Sequence, residues 1–220
     1  MAEQFTQKIK TVFKLAFEPK LLKALLSLRH RQYLVDIGWI NAYKSKSSVD
    51  KNNNPIPWVT YPFIDFITPR LNKSMVIFEF GSGNSTLFYS KRVKRVVAVE
   101  HNLEWYEKLK SSLPKNVEII YKELSSQNNY ASSILGINAK FDIVIIDGEE
   151  RNECMKISVE ALKENGVVVL DDSEREEYTE GIEYLSSKSF KRIDFWGISP
   201  GYLNRKATTV FYKSNNCLGI

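Results

Sequence analysis

The sequence predicts an α/β fold: a doubly wound, mostly parallel seven-strand sheet ending in an antiparallel hairpin, preceded by an N-terminal helical arm. Three observations carry this. Residues 75 to 101 (MVIFEFGSGNSTLFYSKRVKRVVAVEH) read as strand, Gly-rich turn, helix, strand and terminal carboxylate, the pattern of the nucleotide-binding half of a doubly wound sheet. Phe141 to Ile146 is a strand-length apolar run, as expected for a strand covered on both faces. Two alternating strands, Phe190–Trp196 and Ala207–Tyr212, close the chain without a helix between them, so they should form a hairpin at the sheet edge.

Size and composition are consistent with this. A chain of 220 residues accommodates one α/β domain with an appendage. Hydrophobic residues at 43% and charged residues at 26% are ordinary for a globular protein. Cys154 and Cys217 are the two cysteines, without CxxC or metal-ligand spacing. That excludes a cysteine zinc centre and leads us to expect a reducing cytoplasm. No apolar run approaches the roughly 20 residues of a membrane span, and no signal peptide is visible. The net charge of +5 is uneven. Residues 1 to 31 carry Lys8, Lys10, Lys14, Lys20, Lys23, Arg29 and Arg31 against Glu3 and Glu18, which leaves the remainder neutral.

In chain order, Phe5, Ile9, Val12, Phe13, Ala16 and Phe17 fall on one face of an amphipathic helix. Pro19 should end it or separate it from the leucine-rich stretch that follows. This basic arm either lies on an anionic membrane surface, at the inner face of the membrane, or packs on its own domain or a second subunit. Residues 41 to 54 are polar and read as a linker, so we place the arm and linker at 1–54 and the main domain at 55–220. In Pro55-Ile56-Pro57-Trp58-Val59-Thr60-Tyr61-Pro62 the prolines stiffen an extended path. Trp58 and Tyr61 either wall an acceptor pocket or anchor the arm to the core. Phe63 to Leu71 has helical spacing.

After Glu100, Asn102 is a candidate N-cap for a helix reaching about Leu113, and Val117–Tyr121 is the third strand. Lys122–Asn129 is polar, with Glu123 and Ser125 the candidate side chains in it, and Ala131–Leu135 forms a short helix. The fourth strand ends in Asp147-Gly148, which sits where open α/β sheets bind ligands; capping of the next helix is the alternative role for Asp147. Asn152–Lys163 reads as a helix. The fifth strand, Val167–Leu170, ends in Asp171-Asp172-Ser173. A charged helix, Glu174–Ser187, and the turn-rich loop 197–206 complete the chain.

The turn discriminates between ligands. A dinucleotide fingerprint would carry a third glycine at position 86, where Thr86 stands, and Glu79 beside the turn repels a pyrophosphate. Glu100 lies near the roughly 20-residue spacing at which an acid meets ribose hydroxyls. EFGSG at 79–83, VEH at 99–101 and IDG at 146–148 resemble the motifs of class I S-adenosylmethionine (SAM)-dependent methyltransferases over about residues 70 to 213. GSGNST, AVEHNLEWY, IDGEERNEC, LDDSERE and NNCLGI more narrowly resemble bacterial methyltransferase-like proteins of glycan and surface-polysaccharide pathways.

The resemblance implies SAM as cofactor and methylation of a hydroxyl on a small molecule or glycan. It places Gly81, Ser82, Gly83, Asn84 and Ser85 at the methionine end of SAM, Glu79 toward its ammonium, Glu100 on the ribose and His101 beside the adenosine. Asp147, adjoining the cofactor, is the first candidate for the base; His101 has the more suitable ordinary pKa but follows the ribose carboxylate. Asp147, Asp171 and Asp172 also admit Mg²⁺, as in catechol-type O-methyltransferases, although position 172 is Asp where that group typically has Asn. Capping of the next helix is the alternative for Asp172-Ser173. Trp58, Tyr61, Tyr202, Arg205 and Lys206 are candidates for acceptor binding. Two other functions stay open: a non-catalytic SAM-binding interaction module and an NAD-type oxidoreductase. Nucleic acid is not an expected partner, because the main domain is neutral; a homo-oligomer is compatible with the arm.

Overall fold

The computed structural model describes residues 17–124 and 130–220. The amphipathic face from Phe5 to Ala16 and the candidate Ser125 lie outside the described residues. Seven strands, β1 (Val76–Phe80), β2 (Arg95–Glu100), β3 (Val117–Tyr121), β4 (Phe141–Ile146), β5 (Leu162–Asp171), β6 (Lys191–Gly197) and β7 (Lys206–Tyr212), form one sheet in the order β3-β2-β1-β4-β5-β7-β6. β1 pairs in parallel with β2 and β4, β2 with β3, and β4 with β5. β7 runs antiparallel to both β5 and β6. The terminal hairpin is therefore inserted with its last strand inward, as the helix-free connection predicts.

Alternation along the strands builds two cores. Ile77, Val96, Ile143, Ile145, Val167, Val169 and Val210 face one way. There they meet Phe63 and Ile67 of α4 (Tyr61–Ile67) and Phe88 and Tyr89 of α5 (Asn84–Ser90). Phe78, Phe80, Val97, Val144, Ile146, Val168, Leu170 and Phe211 face the other way. They pack on Met155 of α7 (Arg151–Ala161) and Leu185 of α8 (Thr179–Ser187). This is the period-two burial of a sheet covered on both sides.

The N-terminal region differs from its reading as arm and linker. Helix α1 (Pro19–His30) has no buried residue and leads through α2 (Tyr33–Asp36) to α3 (Trp39–Ser45). Residues 41–45 are thus helical, and Ser48, Val49, Ile56 and Pro57 are buried although the stretch 46–58 holds no helix or strand. Trp39, Ile56 and Val59 join the first core. The polar side chains that look like a linker serve local turns: Asp50 Oδ1 accepts the backbone N–H groups of Asn52 and Asn54 at 2.8 Å each. Ser48 Oγ donates to Ile56 O at 2.7 Å.

The helix after the Gly-rich turn begins at Asn84, directly on the last glycine of the turn. The charged segment 174–187 is a 3₁₀ turn (Glu176–Tyr178) followed by α8. Asn102 caps α6 (Leu103–Lys110) as predicted, its side chain accepting from Trp105 N at 3.0 Å. The sheet order reverses between β1 and β4, and the crevice outside their carboxyl ends is where ligands bind in open α/β sheets.

Phe78 is fully buried, with ring centroids 4.8 Å from Phe80 and 5.2 Å from Phe141. Phe78→Ala should cost about 3–5 kcal/mol in chemical denaturation. Leu103→Ala, at a residue 52% exposed, should stay within about 0.5 kcal/mol.

Candidate active site

The turn after β1 is held from above and below. Gly81 has φ +95°, and a Cβ there would come within 2.9 Å of Asp147 O, so only glycine fits without strain. Gly83 N–H donates to Thr86 Oγ1 at 3.0 Å, and Thr86 Oγ1 donates to Glu79 Oε2 at 2.6 Å. Thr86, noted in the sequence for not being glycine, acts through its hydroxyl, which links the turn to a buried carboxylate. Above the turn, Trp105 Nε1 donates to Ser82 O at 2.9 Å. Asn84 Nδ2 donates to Ser47 Oγ at 3.0 Å and Ser48 O at 2.7 Å, joining the turn to the N-terminal segment.

Glu79 is 1% exposed. Burial pushes its pKa up to about 7, hydrogen bonds from Ser85 and Thr86 pull it down, and Glu100 pushes it up. The expectation that Glu79 faces a ligand's ammonium is corrected: it lines neither of the site's two cavities and supports the turn from beneath. Glu100 lies at the end of β2. Its Oε1 accepts the backbone N–H groups of His101 at 3.0 Å and Asn102 at 2.9 Å, and its Oε2 accepts from Ser82 Oγ at 2.6 Å. His101 Nδ1 is buried 3.4 Å from Glu100 Oε1 without a hydrogen bond among the described residues, and its ring stands edge-on to Tyr130 at 6.1 Å.

Two cavities adjoin the turn. The smaller, about 190 Å³, is lined by Ser82, Gly83, Asn84, Ser85 and Trp105 together with Lys46, Ser47 and Ser48. The larger, about 690 Å³, is lined by Asp171, Asp172, Glu174, Arg175, Tyr202, Arg205 and Lys206 among others. Asp147 and Trp58 line both. Trp58 is 40% exposed, donates through Nε1 to Pro200 O at 2.8 Å, and stands 5.8 Å from the Tyr202 ring. Tyr202 is 54% exposed.

Asp147 Oδ1 is 3.4 Å from Arg151 Nη2, while Oδ2 has no hydrogen bond among the described residues. Burial and the nearby Asp171 raise its pKa above the ordinary carboxylate range, against Arg151 and Lys206. A side chain 25% exposed keeps some solvent and moderates that rise. The first helical residue after Asp147 is Arg151, with Glu150 at the cap position, so Asp147 is not a helix cap.

Asp171 Oδ1 accepts from Thr208 Oγ1 at 2.7 Å and Oδ2 from Lys206 Nζ at 2.5 Å. Asp172 Oδ1 pairs with Lys206 Nζ at 2.5 Å and Oδ2 with Arg175 at 2.5 Å. This arrangement does not fit a metal. Among the described residues no group of three or more His, Cys, Asp or Glu is placed to hold one, and the donor oxygens of Asp171 and Asp172 already bind the chain's own cations. Capping by Asp172 is also absent, because the next helical turn starts from Arg175.

The structure brings Trp58, Asp147, Tyr202, Arg205 and Lys206 to one cavity wall. It removes Tyr61, which is 3% exposed, packs in the first core and lines neither cavity. His101 also lines neither cavity and sits beside Glu100. Arg205 lies over the Trp196 ring at 4.0 Å. Trp105, Arg151 and Arg175 escaped the sequence reading, and Thr86 entered it only as a missing glycine. Arg151 gave no spacing signal, because the helix begins at Arg151 and Asp147 lies outside it, where helical i,i+4 spacing does not apply.

Glu79 supplies a pH signature. Its folded pKa of about 7 exceeds its ordinary 4.5, so the folded state holds the proton more tightly. Its contribution is complete below about pH 4.5 and is lost as pH rises through about 7. Stability should fall across that window by an amount on the order of 3 kcal/mol, and Glu79→Gln should flatten this segment of the denaturation-versus-pH curve. A slope unchanged in the variant would contradict the assignment.

No protein-family model matches the chain, and no curated protein matches it. Among solved structures it is similar to precorrin-6y C5,15-methyltransferase from Geobacter metallireducens GS-15, with 18% identity and TM-score 0.54 over 78% of this chain and 97% of that one. It is similar to a methyltransferase-like protein from Silicibacter pomeroyi DSS-3, with 18% identity and TM-score 0.54 over 72% and 89%. It is also similar to fibrillarin from Aeropyrum pernix with natively bound S-adenosyl-L-methionine, at 16% identity and TM-score 0.50 over 64% and 67%. At these identities the likeness is one of fold: the chain has the Rossmann-like methyltransferase fold, with its seven-strand sheet and C-terminal antiparallel hairpin.

Proposed function

We propose that the chain is a SAM-dependent methyltransferase acting on a hydroxyl of a small-molecule or glycan acceptor. The observation that carries this reading is the junction of the two cavities at Asp147 and Trp58. A donor on the Gly-rich turn and an acceptor in the larger cavity would meet there. Gly81, Ser82, Gly83, Asn84 and Ser85 would hold the methionine end, and Glu100 the ribose hydroxyls. SAM, when bound, supplies an electrophilic methyl group on a sulfonium. The glycan acceptor rests on the motif resemblance alone.

The protein's part in such a reaction is alignment in a dry pocket. Trp58, fixed by Pro200 O, walls the acceptor side. Asp147 would receive the acceptor's hydroxyl proton on Oδ2, while Arg151 keeps Oδ1 oriented. A carboxylate with a raised pKa is a better base near neutrality than an ordinary one.

Calorimetric titration with S-adenosylhomocysteine should give micromolar-range binding, and Glu100→Ala should weaken it by roughly 1–3 kcal/mol. Binding of NADH but not of S-adenosylhomocysteine would sink this reading. With a labelled methyl donor and a panel of hydroxylated acceptors, Asp147→Asn should lower turnover by about 10²–10⁴-fold. Intact S-adenosylhomocysteine binding with no turnover on any acceptor class would favour a non-catalytic SAM-binding module.

A further inference from the structure

Lys206 opens β7, the strand inserted antiparallel beside β5. Asp171 pairs across the strands with Thr208. Lys206 is two residues from Thr208, so strand periodicity puts both side chains on one face, and both reach Asp171. The antiparallel insertion thus delivers an ammonium to the carboxylates at the end of β5. Lys206 Nζ lies 2.5 Å from Asp171 Oδ2 and 2.5 Å from Asp172 Oδ1, with its side chain 15% exposed. Thr208 and Arg175 take the other two oxygens. An ammonium has three N–H groups. Two are engaged here; the third has no partner among the described residues, and Lys206 lines the larger cavity.

We propose that Lys206 is a built-in cation occupying the place of a divalent ion between Asp171 and Asp172. It leaves the site metal-free and serves as a positioning residue that offers its third N–H to the acceptor's oxygen. The last clause rests on the methyltransferase reading; the exclusion of metal does not. A divalent ion entering here would have to displace an ammonium already paired with both carboxylates, and with Lys206 in place the two cations would repel each other. A fixed, poorly solvated positive charge also favours an oxygen that is losing its proton.

The test is a Mn²⁺ titration followed by electron paramagnetic resonance on wild type, Lys206→Met and Lys206→Arg. Wild type and Lys206→Arg should show no saturable binding up to about 1 mM, a very weak affinity. Lys206→Met, with its two aspartates uncompensated, should bind at least about tenfold more tightly. Equal binding in wild type and Lys206→Met, or no gain in Lys206→Met, overturns the proposal. If Lys206→Met fails to fold, the melting temperature of the wild type decides: no shift with Mn²⁺ supports the proposal, and a rise reversed by a chelator overturns it. These readouts use neither SAM nor acceptor, so failure to bind S-adenosylhomocysteine would sink the methyltransferase reading separately. Once an acceptor is found, Lys206→Met should lower kcat more than it raises KM, with partial rescue in Lys206→Arg; a change in KM alone would remove the positioning role.

Discussion

The site is organised by one electrostatic constraint: four carboxylates crowd the carboxyl edge of four neighbouring strands. Glu79 lies near the end of β1, Glu100 ends β2, Asp147 follows β4 and Asp171 ends β5. Isolated negative charges in such a place are strongly disfavoured, and each is accommodated differently. Glu79 is buried against a hydroxyl and holds its proton to near neutrality. Glu100 is solvated by two backbone N–H groups and a serine. Asp171 is matched by a lysine and a threonine. Asp147 is only loosely met by Arg151 and keeps one oxygen open to the cavities. Glu79 and Asp171 are therefore taken up by the chain's own donors, Glu100 is anchored at the rim of β2, and Asp147 alone keeps an oxygen without a hydrogen bond among the described residues.

The same accounting explains what was legible in the sequence. Strands β1, β2 and β4 and the terminal hairpin announced themselves because apolar periodicity is a local property. Glu100 and Asp147 were readable as ends of such runs. The partners of these acids were not, because Lys206 reaches Asp171 from 35 residues away, and a predicted hairpin does not say which side chains it brings together. Tyr61 and Trp58 illustrate the same limit. They lie three residues apart in one proline-rich stretch, yet Tyr61 turns into the core and Trp58 onto the cavity wall. Glu79 misled for a related reason: adjacency to the turn suggested contact with a ligand, and its partner is Thr86, seven residues on in the first turn of α5.

The N-terminal segment also changes meaning once placed. Its polarity reads as a tether, while Trp39, Val49, Ile56 and Val59 are buried. Ser47 and Ser48 hold Asn84 of the Gly-rich turn, and Lys46 joins them in lining the smaller cavity. Residues on both sides of the cleft are therefore fixed by a stretch that precedes the first strand.

Trp39 Nε1 donates to Tyr202 O, and Trp58 Nε1 donates to Pro200 O, across separations of 163 and 142 residues. Two indoles near the start of the chain thus pin a loop near its end. Contacts of such long range close only after the intervening chain is largely ordered, since loop-closure entropy must first be overcome. The order of assembly follows. The sheet and the Gly-rich turn draw on nearer contacts and can form early, whereas the wall of the larger cavity is completed last. During synthesis the nascent chain would acquire its turn well before the wall of the larger cavity, which waits until the final hairpin has left the ribosome.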